Sequence, residues 1–264
     1  MTKLGYIKKT IQHSNTFLQE NQPFGKRYRI VSRKPFHCGL DLAESLVAGI
    51  DEAGRGCVIG PLVVAGVMMK AEALPILAEI GVKDSKLLTP QKRELLYPAI
   101  LQLAEKYETA KVQPSEIDKA VESARRLHKL NRLEAQTMAQ IVEALKPDVV
   151  FVDAADTVEH RFGNHIRECL KIKTRIVSRH KADRIYPVVS AASIIAKVER
   201  DREVAALRAL HGDFGSGYLT DEKTMVFLRS LLEKYDEYPS FVRKSWKPAK
   251  KAKSEKGTIQ QTLT

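Results

Sequence analysis

At 264 residues, 44% hydrophobic and 29% charged, the chain has a globular composition and is long enough to bury a sizeable core. No apolar stretch approaches the ~18 residues that a membrane span needs, and the N-terminus has no secretory apolar region. The formal charge of +12 is uneven, with +5 on residues 1–44, +4 on residues 247–264 and +3 between; basic ends suit a polyanionic partner or solvated tails, and charge alone does not choose.

Residues 1–44 show polar clusters without a sustained period and read as a basic, poorly ordered extension. Val47–Asp51 reads as a strand and Val58–Met69 as a second apolar run, joined through Gly54-Arg55-Gly56 by a hairpin-like link. Thr89 can cap a helix with Pro90 at its first position. Met138, Ile141, Val142 and Leu145 step at helical spacing, and Pro147 marks the end of that helix. Val149–Asp153 is a β-branched run closing on an acid, and Ile176–Ser178 is a weaker strand. Ala191, Ile194, Ile195 and Val198 mark one more helix. Strands interleaved with helices predict a three-layer α/β domain over residues 45–213. A C-terminal helical part over 214–246, with a helix near Lys223–Tyr235, and a lysine-rich disordered tail over 247–264 follow. Cys38, Cys57 and Cys169 share no CxxC spacing, which removes a disulfide framework or zinc pattern and makes a reducing cytoplasm the expected compartment.

Asp51 and Asp153 each close an apolar run, and neighbouring strands that end together bring such residues close. Glu52 leaves the strand on the other side unless the backbone turns there; Gly54 and Gly56 tolerate the positive φ of a turn. Asp183 lies in "RHKADRIYPVVSAAS", just ahead of the helix of Ile194. Carboxylates converging without cations repel one another. Hard divalent cations relieve that repulsion, and oxygen-only ligands favour Mg²⁺ or Mn²⁺ over zinc. Singly, each acid also reads as a turn former, a cap or a surface residue. The glycines resemble a dinucleotide-binding loop only weakly, since Pro61 and a β-branched run stand where that loop opens a helix.

"GIDEAGRGCVIGPLVV", "KDSKLLTP", "VVFVDAAD", "HKADRIYPVVSAASIIAKVERDR", "GDFGSGYLTDEKT" and "FVRKSWK" occur in this order. From about Val47 to Trp246 the chain closely resembles ribonuclease HII, its archaeal branch in particular. The resemblance implies an RNase H-like fold, a mixed β-sheet flanked by helices with a small C-terminal helical part that helps bind substrate. It implies hydrolysis of the RNA strand of RNA–DNA hybrids and incision 5′ to a ribonucleotide embedded in duplex DNA. Asp51, Glu52, Asp153 and Asp183 match the acids that hold two divalent cations in the family, Asp51 being the bridging one. One cation would lower the pKa of the attacking water and the other neutralise the leaving 3′ oxygen, giving 3′-hydroxyl and 5′-phosphate ends. Gly54, Arg55 and Gly56 match the turn that reads the ribose 2′-hydroxyl, chiefly through backbone groups. Tyr218 matches the tyrosine that stacks on the adjacent deoxyribose. Lys86, Arg184, Lys197, Arg200 and Lys244 sit in matching motifs as phosphate-contact candidates.

The chain departs from the family pattern in three places. Cys57 stands where proline is more usual. Residues 1–44 are longer than the family lead-in, either a basic arm or a misassigned start. "QQTLT" begins like the sliding-clamp-binding motif of archaeal relatives, with Gln260 and Leu263 matching, but the chain ends before the aromatics. Three rival readings are weighed against this one. A catalytically silent nucleic-acid-binding module would have lost a carboxylate, and none is lost. A related nuclease of the same fold with another substrate is opposed by "DEAGRG" with "GSGY". Ribonuclease HIII would need a folded N-terminal domain, for which 44 irregular residues are too few. A monomer is the expected state.

Overall fold

A computed structural model describes residues 45–124 and 127–262, with side chains through residue 254. The N-terminal extension over 1–44 and Leu263 of the clamp-like motif lie outside the described residues, as does the side chain of Gln260.

Strand β1 (Leu46–Ala53) occupies the centre of a five-stranded sheet of order β3-β2-β1-β4-β5. On one side, β2 (Leu62–Lys70) and β3 (Lys106–Val112) continue as an antiparallel meander; on the other, β4 (Val149–Asp153) and β5 (Arg175–Arg179) add in parallel. The sheet is therefore mixed. The long continuous burial of β1, β2 and β4 reflects a sheet covered on both faces. Helices α1 (Leu74–Glu79), α2 (Pro90–Leu103) and α7 (Pro187–His211) cover one face, meeting Val47, Val67 and Phe151. Helices α3 (Pro114–Glu122), α4 (Lys129–Leu145) and α5 (Glu159–Cys169) cover the other, meeting Ala48, Ile50 and Val152. Because successive side chains alternate across a strand, these two apolar sets also fix which face each strand-end acid takes. Thr89 accepts a hydrogen bond from Lys92 N–H at the start of α2, the cap expected from its sequence.

A short helix, α6 (Ala182–Ile185), leads into α7, and α8 (Glu222–Lys234) packs with Phe214, Val58 and Ile59 in a third apolar cluster. Leu62 rather than Val58 begins β2. Gly60 takes φ +88° ahead of Pro61, so Val58 and Ile59 leave the sheet and bridge to the C-terminal part, Ile59 pairing with Val242.

The lysine-rich tail expected to be disordered is instead helix α9 (Lys247–Thr262). Ala249 is fully buried and Ala252 packs against the third cluster, anchoring the first turns. Alanine and lysine are strong helix formers, so the composition that removed an apolar period did not remove helix propensity.

Candidate active site

The register pairs Ile50 with Val152, which sets Asp51 of β1 beside Asp153 of β4 on the face covered by α7. Asp183 arrives from α6, and Ala182 N–H donates to Asp153 Oδ1 at 3.2 Å, tying that segment to the end of β4. Carboxylate oxygens of Asp51, Asp153 and Asp183 all lie within 4.8 Å of one another. Asp51 and Asp183 are buried and Asp153 is half-buried.

Burial pushes the Asp51 carboxyl up from 3.8 to about 6, opposed by the Lys197 ammonium and the Ser193 hydroxyl of α7. Burial likewise raises Asp153, and it raises Glu52 well above its ordinary range, with the Asp51 charge adding to the effect. Asp183 Oδ1 and Glu52 Oε2 are buried without a hydrogen-bond partner. Crowded, oxygen-only donors with orphaned lone pairs fit a hard divalent cation and do not fit zinc's nitrogen and sulfur preference.

Glu52 does not join the three aspartates. Strand β1 runs on through Ala53, so Glu52 faces α4, where Glu134 and Arg55 are its charged neighbours. Among the turn glycines only Gly54 has positive φ, at +82°, and an added Cβ there would sit 2.8 Å from Pro61 O. Gly56 needs no positive φ, and a Cβ there would meet only the Tyr218 ring at 3.9 Å. Tyr218 stands over this turn, its backbone bridged to Cys57 and its hydroxyl pushed up to about 12 by burial.

The five basic residues separate. Lys86 Nζ lies 3.7 Å from Asp183 Oδ2 with an exposed side chain, and Lys197 Nζ donates to Ser193 Oγ at 2.7 Å beside Asp51. Arg184 pairs with Asp84 at 2.9 Å, and Lys244 is exposed. Arg200 departs from the expected phosphate contact: it is 7% exposed, donates to Ser216 O and to Cys57 Sγ at 3.0 Å, and stacks over Tyr218. Its guanidinium braces the tyrosine loop against the glycine turn.

Two residues matter that sequence reasoning passed over. Arg243, fully buried, donates to Gly54 O at 2.7 Å, Arg55 O at 2.8 Å and Gly60 O at 3.1 Å. These bonds hold the turn's carbonyls against the buried guanidinium. Glu134, fully buried on α4, ion-pairs with Arg55. The signal for Glu134 was an acid four residues before Met138 on the apolar stripe of α4. Arg243 lay within the quoted "FVRKSWK", where only the contacts reveal its role.

The family model for Ribonuclease HII matches residues 48–249, most of the chain. The chain belongs to the ribonuclease HII family. A ribonuclease HII from Thermococcus kodakarensis is 44% identical over 224 residues, covering 83% of this chain and 96% of that protein. Among solved structures, the ribonuclease H2 of Pyrococcus horikoshii OT3 matches with TM-score 0.73 and 42% identity, covering 80% of this chain and 98% of that one. A PCNA:RNase HII complex from Archaeoglobus fulgidus matches with TM-score 0.69 and 42% identity, over 76% of this chain and 95% of that one. The fold is thus the RNase H-like fold of ribonuclease HII, and the chain is a hydrolase, a type 2 ribonuclease H acting on RNA–DNA hybrids. RNase H-like enzymes use divalent metals, and the Asp51, Asp153 and Asp183 cluster is compatible with one. Among the described residues no helix is long and apolar enough to cross a membrane.

Proposed function

We propose that this ribonuclease HII incises 5′ to single ribonucleotides embedded in duplex DNA, as well as cutting hybrids, with two cations held by Asp51, Glu52, Asp153 and Asp183. The observation that carries this reading is the convergence of three aspartates within 4.8 Å beside the Gly54–Gly56 turn and Tyr218. Two Mg²⁺ or Mn²⁺ ions bound there would supply Lewis acidity, easing deprotonation of the attacking water and neutralising the leaving 3′ oxygen. The residues themselves do the rest. Asp51, Asp153 and Asp183 offer carboxylate oxygens on one face of the sheet; Glu52, on the other face of β1 but within the field of Asp51 and Asp153, would turn toward the cations to join them. Gly54, Arg55 and Gly56 present backbone N–H groups to the ribose, the feature that separates RNA from DNA. Tyr218 offers a ring face to the neighbouring deoxyribose. Lys86, Lys197, Arg184 and Lys244 would contact the phosphate backbone, a reading supported for Lys86 and Lys197 by their place beside the carboxylates.

The test uses a labelled DNA duplex carrying one ribonucleotide, with Mg²⁺ or Mn²⁺, beside Asp51→Asn. The expected result is a single cut 5′ to the ribonucleotide, leaving 3′-hydroxyl and 5′-phosphate ends, lost with EDTA and lowered by at least about 10³-fold in the variant. Binding without cutting in either metal would transfer the reading to a silent nucleic-acid-binding module. The protein is expected to work as a monomer and to associate with a sliding clamp through Gln260 and Leu263. The clamp expectation draws support from the PCNA complex formed by the Archaeoglobus fulgidus relative. Deleting residues 258–264 should abolish clamp pull-down; unchanged pull-down would remove the tail as the clamp contact.

A further inference from the structure

A charged side chain inside an apolar helix stripe is costly unless it does something an apolar residue cannot. Glu134 is such a residue, fully buried on α4 in the same buried set as Ala135, Met138 and Ile141, with the charges of Arg55, Arg243 and Glu52 near it and its Oε1 without a hydrogen-bond partner. A purely structural role would be served as well by continuing the stripe with a leucine or methionine.

Among the described residues its ion-pair partner is Arg55 of the glycine turn. Both terminal nitrogens of that guanidinium are engaged by α4: Nη1 donates to Glu134 and Nη2 to Asn131 Oδ1 at 2.8 Å. Asn131 in turn donates from Nδ2 to Asp156 Oδ2 at 2.9 Å. Asp156, almost fully buried, also accepts from Arg161 Nε at 2.9 Å and from Val158 N–H at 3.0 Å. A continuous hydrogen-bonded chain therefore runs from the turn after β1, across the first turn of α4, to the loop after β4. Arg55 points along this chain toward α4. Arg243 holds the carbonyls of the same turn from the other direction, so the turn is gripped by its backbone and by its one long side chain.

We propose that Glu134 and Asn131 are positioning residues that lock the Arg55 side chain inward and thereby hold the Gly54–Gly56 turn in its ribose-reading conformation. The inference rests on the reading of that turn as the ribose sensor. It makes ribonucleotide selectivity a property that α4 controls without touching substrate. Arg55 then acts as an anchor of the turn.

Selectivity is read with the full-length protein as KM for the single-ribonucleotide duplex against Ki of the all-DNA duplex of the same sequence, used as competitor. Glu134→Ala should shrink Ki/KM by about tenfold, the equivalent of one charge-assisted hydrogen bond, and lower kcat with it. Glu134→Gln keeps an acceptor for Arg55 and should fall between that variant and the wild type. Because Glu134 acts through Arg55, the double variant Glu134→Ala/Arg55→Ala should be no worse than Arg55→Ala alone. If Glu134→Ala does not fold, Asn131→Ala, at a half-buried position, carries the same comparison. A lowered Tm with unchanged Ki/KM, or additive losses in the double variant, would overturn the inference and leave Glu134 as a packing residue. A wild-type protein that cuts but has equal KM and Ki would overturn the ribose-sensor reading, and this inference with it.

Discussion

Asp51 is held in a conflict that a bound cation would resolve. Its carboxyl titrates near 6 in the folded chain, against an ordinary 3.8, because burial disfavours the charged form more than Lys197 and Ser193 favour it. As pH rises from about 4 to about 6 the unfolded chain gives up this proton first, so the folded state binds more protons and stability of the cation-free protein falls across that window. Glu52, also raised by burial, adds to the loss. In EDTA, Asp51→Asn should therefore melt close to the wild type near pH 4 and above it at pH 7, a gain on the order of 1 kcal/mol or more, or roughly 2–4 °C per kcal/mol. Mn²⁺ should raise the melting temperature of the wild type at pH 7 and do little for the variant. Equal melting curves at both pH values would mean that the site carries no such strain. Gly56 offers a second test at this scale. A Cβ there would make an ordinary 3.9 Å contact with Tyr218, so Gly56→Ala should fold with an unchanged melting temperature. If the turn reads a ribose at close range, cutting should drop by about 10–100-fold, the cost of a small misplacement at a reacting centre. Wild-type activity in Gly56→Ala would take this glycine out of the reader.

At the scale of elements, the site depends on how closely α7 approaches β1. A Cβ on Gly49 would lie 2.3 Å from the backbone carbon of Val188, so the helix carrying Ser193 and Lys197 reaches Asp51 only because residue 49 has no side chain. Gly49→Ala should cost at least about 1–3 kcal/mol in a urea melt and reduce cutting by more than the lost stability alone explains. Undiminished activity in a destabilised protein would show that the α7 approach to Asp51 is not what cutting depends on. The strands and helices around this contact were legible where apolar periodicity was strong: β1, β2, β4, α4 and the cap of α2 stand close to where the residues placed them. The polar edge strand β3, "KYETAKV", escaped because it is half-exposed along most of its length and lacks a buried face to impose a pattern. Helix α5 escaped for a related reason, its buried set including Gly163 and His165 among charged neighbours. Of the site, the three aspartates were legible because Asp51 and Asp153 each end an apolar strand and Asp183 stands just ahead of a recognisable helix. The contacts of Glu134, Arg200 and Arg243 were not, because each joins residues 79 to 189 positions apart through side chains that ordinarily face solvent.

The whole molecule presents a strongly basic chain to a polyanion, with its charge concentrated at the two ends. The segment over 247–254 already has a structural duty, since Ala249 and Ala252 fasten α9 to the third apolar cluster and Lys250 and Lys253 pair with Glu122 and Glu237. Exposed pairs of this kind contribute little to stability and are screened by salt, so they do not remove those lysines from the reach of a phosphate. The N-terminal +5 is what eight Lys and Arg leave over three Asp and Glu in that segment. Lysine and arginine that neutralise phosphates release counterions, and each such contact adds about 0.9 to the slope of log affinity against log salt. If residues 1–44 form a nucleic-acid-binding arm, a variant lacking them should bind the single-ribonucleotide duplex more weakly at low salt, with a shallower slope. Its cut should stay at the same phosphodiester, because the carboxylates and the glycine turn lie outside the deleted segment. Fluorescence anisotropy of an uncleaved duplex in EDTA over a salt series measures the slope. An unchanged slope and affinity would make the segment a solvated tail, and substrate capture would then belong to residues 45–264 alone.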